Sequence, residues 1–175
     1  MIDCATYAPL PDYYAGILWS KLMGTVVLKA ASSDPTLRAY AHCSAGVKGS
    51  VTVLLINLDP AVQRTVTLDG LLSATTADDV DVGGGGGLVT TMTTMEWHLT
   101  GPNGMNATAI ALNGKLLVAK VVAGGTEYDL PPLEGQRQQH QQAKAGVKAA
   151  SAPVVELAPA SVAFVQLAAP TGVCS

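Results

Sequence analysis

The hydrophobic pattern has one helical stretch and many short alternating ones. Over residues 11–23, Tyr14, Ile17, Leu18 and Leu22 recur at helical spacing, and the aliphatic stem of Lys21 falls on the same face. Pro11 and Asp12 open this segment, where a fixed φ and a negative charge both suit a helix N-terminus. Gly24 follows as the expected C′ residue. Beyond it the period shifts to two. Thr25 to Ala30 and Leu37 to Cys43 read as strands around an Asp34-Pro35 turn. Gly46 to Gly49 reads as a hairpin tip. Ser50 to Leu58 is the strongest strand in the chain, and its apolar middle predicts burial on both faces.

Val62 to Leu68 alternates again, with Val62, Arg64, Val66 and Leu68 on one side. The pattern then breaks. Residues 73–94 hold Asp78, Asp79, Asp81 and a run of glycines from Gly83 to Gly87, and read as a flexible insertion. Strand character returns from Met95 to Leu99, then from Thr108 to Leu112. Asn113-Gly114 joins that strand to Lys115–Ala119 as a two-residue hairpin. Residues 135–152, Gln-rich then Ala/Lys-rich, have no clear apolar face and read as a second insertion. Val154 to Leu157 and Ser161 to Leu167 close the chain, split by Ala158-Pro159. Many short strands after one helix predict a mostly β fold, an antiparallel β-sandwich preceded by one α-helix.

Composition narrows the function more than the fold. At 175 residues the chain is long enough to bury a proper core. Its 10 basic and 13 acidic residues, with no basic cluster longer than two, lack the footprint of a nucleic-acid binder. No apolar run is long enough for a transmembrane helix. Met1-Ile2-Asp3-Cys4 lacks the basic-then-apolar pattern of a signal peptide. The cysteines, Cys4, Cys43 and Cys174, fit no zinc motif.

Four stretches carry a resemblance. Pro11-Asp12-Tyr13-Tyr14 opens a helix ending in Lys21-Leu22-Met23-Gly24. Leu37-Arg38-Ala39-Tyr40-Ala41-His42-Cys43 precedes Leu54-Leu55-Ile56-Asn57-Leu58. Glu96-Trp97-His98-Leu99-Thr100 leads through Gly-Pro-Asn-Gly to Leu112-Asn113-Gly114-Lys115-Leu116. Leu157-Ala158-Pro159-Ala160-Ser161-Val162-Ala163-Phe164-Val165 completes the set. In this order they resemble the C-terminal part of heparanase and the plant heparanase-like proteins, glycoside hydrolase family 79. That resemblance implies that residues 1–24 are the last helix of a truncated (β/α)8 barrel and residues 25–175 the C-terminal β-sandwich. It implies a missing barrel as partner, a glycan as candidate ligand, and a secreted, extracellular or lysosome/vacuole-like location, with membrane association left open.

The same resemblance sets expectations for individual residues. Retaining glycosidases need two carboxyl groups about 5 Å apart, and the family's pair are glutamates on barrel strands upstream of the final helix. Glu96, Glu127, Glu134 and Glu156 match neither and read as surface charge. No catalytic residue, cofactor or metal is therefore assigned. Cys43 and Cys174 match a family disulfide, which would close a loop worth roughly 4–5 kcal/mol in the chain-entropy model; two buried free thiols are the competing reading. Asn106-Ala107-Thr108 is a glycosylation sequon. Trp97 is a candidate carbohydrate contact, against core packing as the plainer reading. His42 and His98 lie in strands that could bring them together, whereas His140 reads as solvated. Asp78, Asp79 and Asp81 lack the spacing of a calcium loop, and Gly83–Gly87 lacks the flanks of a phosphate cradle. The alternative to a glycosidase sandwich is a free-standing carbohydrate-binding or structural sandwich.

Overall fold

A computed structural model describes residues 2–4, 7–69, 91–104, 107–122, 128–141, 152–169 and 172–175. The chain opens with helix α1 (Pro11–Leu22). It continues through β1 (Met23–Leu28), β2 (Leu37–Ser44), β3 (Ser50–Asn57), β4 (Arg64–Thr67), β5 (Thr91–Thr100) and β6 (Ala111–Leu112). It ends with β7 (Lys115–Leu116), β8 (Lys120–Val121), β9 (Tyr128–Asp129), β10 (Gln136–Gln141), β11 (Val154–Leu157) and β12 (Ser161–Ala168).

The main sheet runs β1-β2-β3-β12-β5-β6-β7, with β10 on the other half of β5, and every described pairing is antiparallel. β12, the last strand in sequence, lies at the centre. Its Phe164 pairs with Leu54 of β3 on one side and with Trp97 of β5 on the other. β4 and β11 form a second, two-stranded sheet.

Each face of the main sheet is covered. On one, Val51, Val53, Leu55, Ala163, Val165 and Leu167 pack against Leu68, Val155 and Leu157 around the small sheet. On the other, Leu54, Trp97, Leu99 and Phe164 pack against Tyr14 and Leu18 of α1 and against Ile110, Leu112 and Leu117. The continuous apolar run of β3 follows directly, because its alternate side chains enter two different cores. Each fully buried Val, Leu or Phe here contributes about 1.5–3 kcal/mol. The molecule is an antiparallel β-sandwich preceded by a helix, as its periodicity predicts.

Four details depart from the sequence reading. The helix ends at Leu22, and Gly24 is not a left-handed cap: Met23 and Gly24 already belong to β1. Glycine is needed at 24 because a Cβ there would collide with the Cys43 carbonyl oxygen of the neighbouring strand. Thr91–Thr94, assigned to an insertion, begin β5. Gln136–Gln141, also assigned to an insertion, pair in continuous register with Thr91–Glu96 as β10. Strand pairing, rather than an apolar face, holds that segment, so hydrophobic periodicity had nothing to detect. The strands on either side of Asn113-Gly114 are only two residues each. The hairpin itself is present, with both turn residues at positive φ (50° and 78°).

Candidate functional site: a buried carboxylate between two histidines

The least expected polar cluster lies on β5. Alternation places Thr94, Glu96 and His98 on one face of that strand. Glu96 is 4% exposed. Its Oε1 accepts a hydrogen bond from Thr94 Oγ1 at 2.6 Å and lies 3.2 Å from His140 Nε2. Its Oε2 lies 2.7 Å from His98 Nε2. His140 Nε2 also lies 2.9 Å from Thr94 Oγ1. The hydroxyl has one proton, which goes to the carboxylate, so it must accept from His140. Both imidazoles therefore present an Nε2–H to the cluster.

Burial disfavours the charge on Glu96, but the hydrogen bonds from His98 and Thr94 and the nearby imidazoles outweigh it and lower its pKa. The stability that this ionised carboxylate contributes is present above the ordinary glutamate range. It is lost as pH falls through the lowered folded-state value. Among the described residues no group of His, Cys, Asp and Glu is arranged to hold a metal ion. The contacts are hydrogen bonds to opposite carboxylate oxygens, and their direct chemistry is charge stabilisation.

Asn113 of the hairpin turn fixes the same stretch of β5. Its backbone N–H donates to the His98 carbonyl and its Oδ1 accepts from the His98 N–H, both at 2.8 Å. Its Nδ2 donates to the carbonyls of Glu96 and Glu134 at 3.3 and 3.2 Å. The Asn-Gly dipeptide thus makes a turn and also fastens the strand that carries the cluster.

The other sequence-selected residues lie apart. Cys43 and Cys174 are joined by a disulfide with Cα atoms 5.5 Å apart, which ties the C-terminal tail to β2. Cys4 is free and exposed. Trp97 is 7% exposed, donates its Nε1–H to the Leu133 carbonyl at 3.3 Å, and has Gly135 pressed against its ring. In that placement the ring packs inside the helix-side core, whereas a carbohydrate platform needs an open face. His42 does not meet His98: its Nδ1 donates to the Gly24 carbonyl at 2.6 Å, and its ring stands edge-to-face on Trp19. His140 is half-buried in the cluster rather than solvated. Asn106, Glu127, Asp78, Asp79, Asp81 and Gly83–Gly87 lie outside the described residues. The Thr-x-Glu-x-His spacing on β5 was readable as one face. The contribution of His140, more than forty residues downstream in a Gln-rich stretch, left no local signal.

A second polar network closes one end of the sandwich. Arg64 of β4 lies 3.2 Å from Asp34 and 2.9 Å from Asp59, and donates to Thr36 Oγ1 at 3.1 Å. Hydrogen bonds from Thr36 chiefly lower the Asp34 pKa. At Asp59 the backbone N–H groups of Ala61 and Val62, with Arg64, do the same against a smaller desolvation effect. Beside this network a groove of about 630 Å³ runs between the two sheets, with a mixed lining that includes Leu28, Val53 and Val66 as well as Lys29, Asp34 and Arg64.

A helix leading into an antiparallel sandwich defines a mostly β domain. Its relatives are more specific. No protein-family profile matches the chain. It is 35% identical to heparanase-like protein 1 of Arabidopsis thaliana over 155 residues, covering 77% of this chain and 26% of that protein. It is 31% identical to heparanase-like protein 2 of the same plant over 183 residues, covering 95% of this chain and 31% of the relative. It is 28% identical to a baicalin-β-D-glucuronidase of Scutellaria baicalensis over 173 residues, covering 98% and 26%. The chain is related to the heparanase-like proteins of glycoside hydrolase family 79, and spans about a quarter of the length of the curated relatives it matches.

Proposed function

We propose that this chain is the non-catalytic C-terminal sandwich of a heparanase-like glycosidase, with α1 as the last helix of its (β/α)8 barrel. The observation that carries this reading is the alignment with the heparanase-like relatives: it takes in most of this chain and only 26% and 31% of theirs. The whole protein would hydrolyse glucuronide linkages in glycans or small glycosides, in an extracellular or lysosome-like compartment. The Cys43–Cys174 disulfide suits an oxidising route to such a compartment. No helix among the described residues is long and apolar enough to cross a membrane.

The sandwich itself would carry no catalysis. Both oxygens of Glu96 are engaged by neighbouring side chains, and Glu156 accepts a hydrogen bond from Gln63 on the surface. Its role would be to support the barrel. Trp19 at 40% exposed, Tyr40 at 46% and Val27 at 70% form apolar surface on the helix side of the sheet, suited to a packed neighbour. The groove beside β4 would suit a further segment supplied from elsewhere in the full protein.

The test is hydrolysis of an aryl β-D-glucuronide. The chain alone should give no turnover above buffer, and a form carrying the upstream barrel should give turnover. Activity of the isolated chain that disappears in Glu96→Gln would overturn the proposal. A free-standing carbohydrate-binding role finds less support, because Trp97, the residue that favoured it, is buried in the core.

A further inference from the structure

The chain carries two Asn-Gly pairs, Asn103-Gly104 and Asn113-Gly114. This dipeptide is chemically labile, because glycine has no side chain to shield its backbone nitrogen. Once that nitrogen has lost its proton to solvent base, it attacks the asparagine Cγ. The new N–C bond closes a succinimide ring, the Cγ–Nδ2 bond breaks, and Nδ2 leaves as ammonia with a proton from solvent. Water then opens the ring at either carbonyl, giving aspartate or isoaspartate; nothing is oxidised or reduced.

The two pairs sit in opposite surroundings. Asn113, at φ 50°, has its whole carboxamide engaged: Oδ1 accepts from the His98 N–H, and Nδ2 donates to the carbonyls of Glu96 and Glu134. Turning its Cγ onto the Gly114 nitrogen breaks all of these bonds. The Asn113 N–H also donates to the His98 carbonyl, so the backbone is tied to β5 as well. Asn103 is exposed in the turn that follows β5, and among the described residues no hydrogen bond holds its carboxamide. There a backbone bond, from the Gly104 N–H to the Gly101 carbonyl at 3.0 Å, restrains the attacking nitrogen.

We propose that the fold gives the two sites opposite fates: Asn103 deamidates in the native protein, and Asn113 only when the β6–β7 hairpin lifts from β5. The inference goes beyond the proposed function and holds whether or not the chain supports a glycosidase barrel. The consequences differ as well. A carboxylate at 103 stands in an exposed turn. A carboxylate at 113 sets an oxygen against the Glu96 and Glu134 carbonyls, where Nδ2 had donated to both. Isoaspartate also lengthens the backbone of a turn whose flanking strands are two residues each. Glu134 lies between Leu133, whose carbonyl accepts from Trp97 Nε1, and Gly135, which is pressed on the Trp97 ring. Losing its tie to Asn113 therefore loosens the segment that leads into β10. Deamidation at 113 is a one-way record of hairpin opening, since the altered side chain cannot remake the bonds that held it.

The test is incubation of the full chain at mildly alkaline pH, folded and in urea above its unfolding transition, with conversion at each site followed by peptide mapping and mass spectrometry. In the unfolded chain the two sites should convert at similar rates. In the folded chain Asn113 should fall behind Asn103 by at least roughly tenfold, since each side-chain hydrogen bond that must break is worth roughly two- to tenfold in an opening equilibrium. This comparison needs no variant. Asn113→Asp should then lose amide-exchange protection at residues 96–98 and 133–136 relative to β3 and β12, whereas Asn103→Asp should exchange like the unaltered chain. Equal rates at the two sites in the folded chain, or faster conversion at Asn113, overturns the assignment. Unchanged protection in Asn113→Asp overturns the one-way loss of the hairpin's attachment.

Discussion

Asn57 shows how much one buried polar residue organises here. It is 1% exposed at the end of β3. Its Nδ2 donates to the carbonyls of Val62 and Ala158, both at 2.9 Å, and its Oδ1 accepts from the Asp59 N–H at 3.1 Å. One amide thereby joins β3, the approach to β4 and the turn between the last two strands. We expect Asn57→Ala to destabilise the chain by about 2–4 kcal/mol, since it leaves several buried groups unpaired. Urea denaturation should show the lower midpoint. At this scale the sequence was informative about type and less so about partners. Asn57 stood out within Leu54-Leu55-Ile56-Asn57-Leu58 as part of the resemblance, yet nothing local indicated that its amide spans 101 residues to Ala158. Glu96 was misread for the same reason. A glutamate at a strand start reads as surface charge until a histidine from another strand is brought against it.

Elements were legible wherever burial leaves a periodic trace. The helix, β2, β3, β11 and β12 were readable because their apolar residues repeat toward a core. β10 was not, because Gln-rich edge strands bury little and depend on a partner already in place. Gly24 is an instructive failure. A glycine after a helix suggests a left-handed cap, but the helix passes directly into β1, and the missing side chain makes room for β2. Gly24→Ala should therefore push β1 away from Cys43 and cost about 1–3 kcal/mol, the range for overpacking. Thermal unfolding of this variant beside Gly46→Ala would separate the causes. Gly46 has positive φ and nothing near its Cβ, so its loss comes from backbone strain alone, about 1 kcal/mol.

Across the whole molecule, the disulfide links the most distant parts. It spans 131 residues, and the tail it secures also clamps the β2–β3 hairpin: Gly49 N–H donates to Cys174 and the Gly49 carbonyl accepts from Ala169, at 2.6 and 2.7 Å. Replacing both cysteines by serine should lower stability by about 2–5 kcal/mol, with the larger loss in the chain-entropy limit for so long a loop. Calorimetry of oxidised and reduced protein would give the same answer without mutation. The sequence by itself determined the fold class, the helix, the inner strands and the Asn-Gly hairpin, because these follow from local backbone preference and from periodic burial. Only the tertiary structure decided that β12 lies at the centre of the sheet, that a Gln-rich segment completes β5, and that Glu96 meets two histidines. Those features depend on which distant strands become neighbours, and strand pairing is set by the closing of the whole core rather than by residues adjacent in the chain.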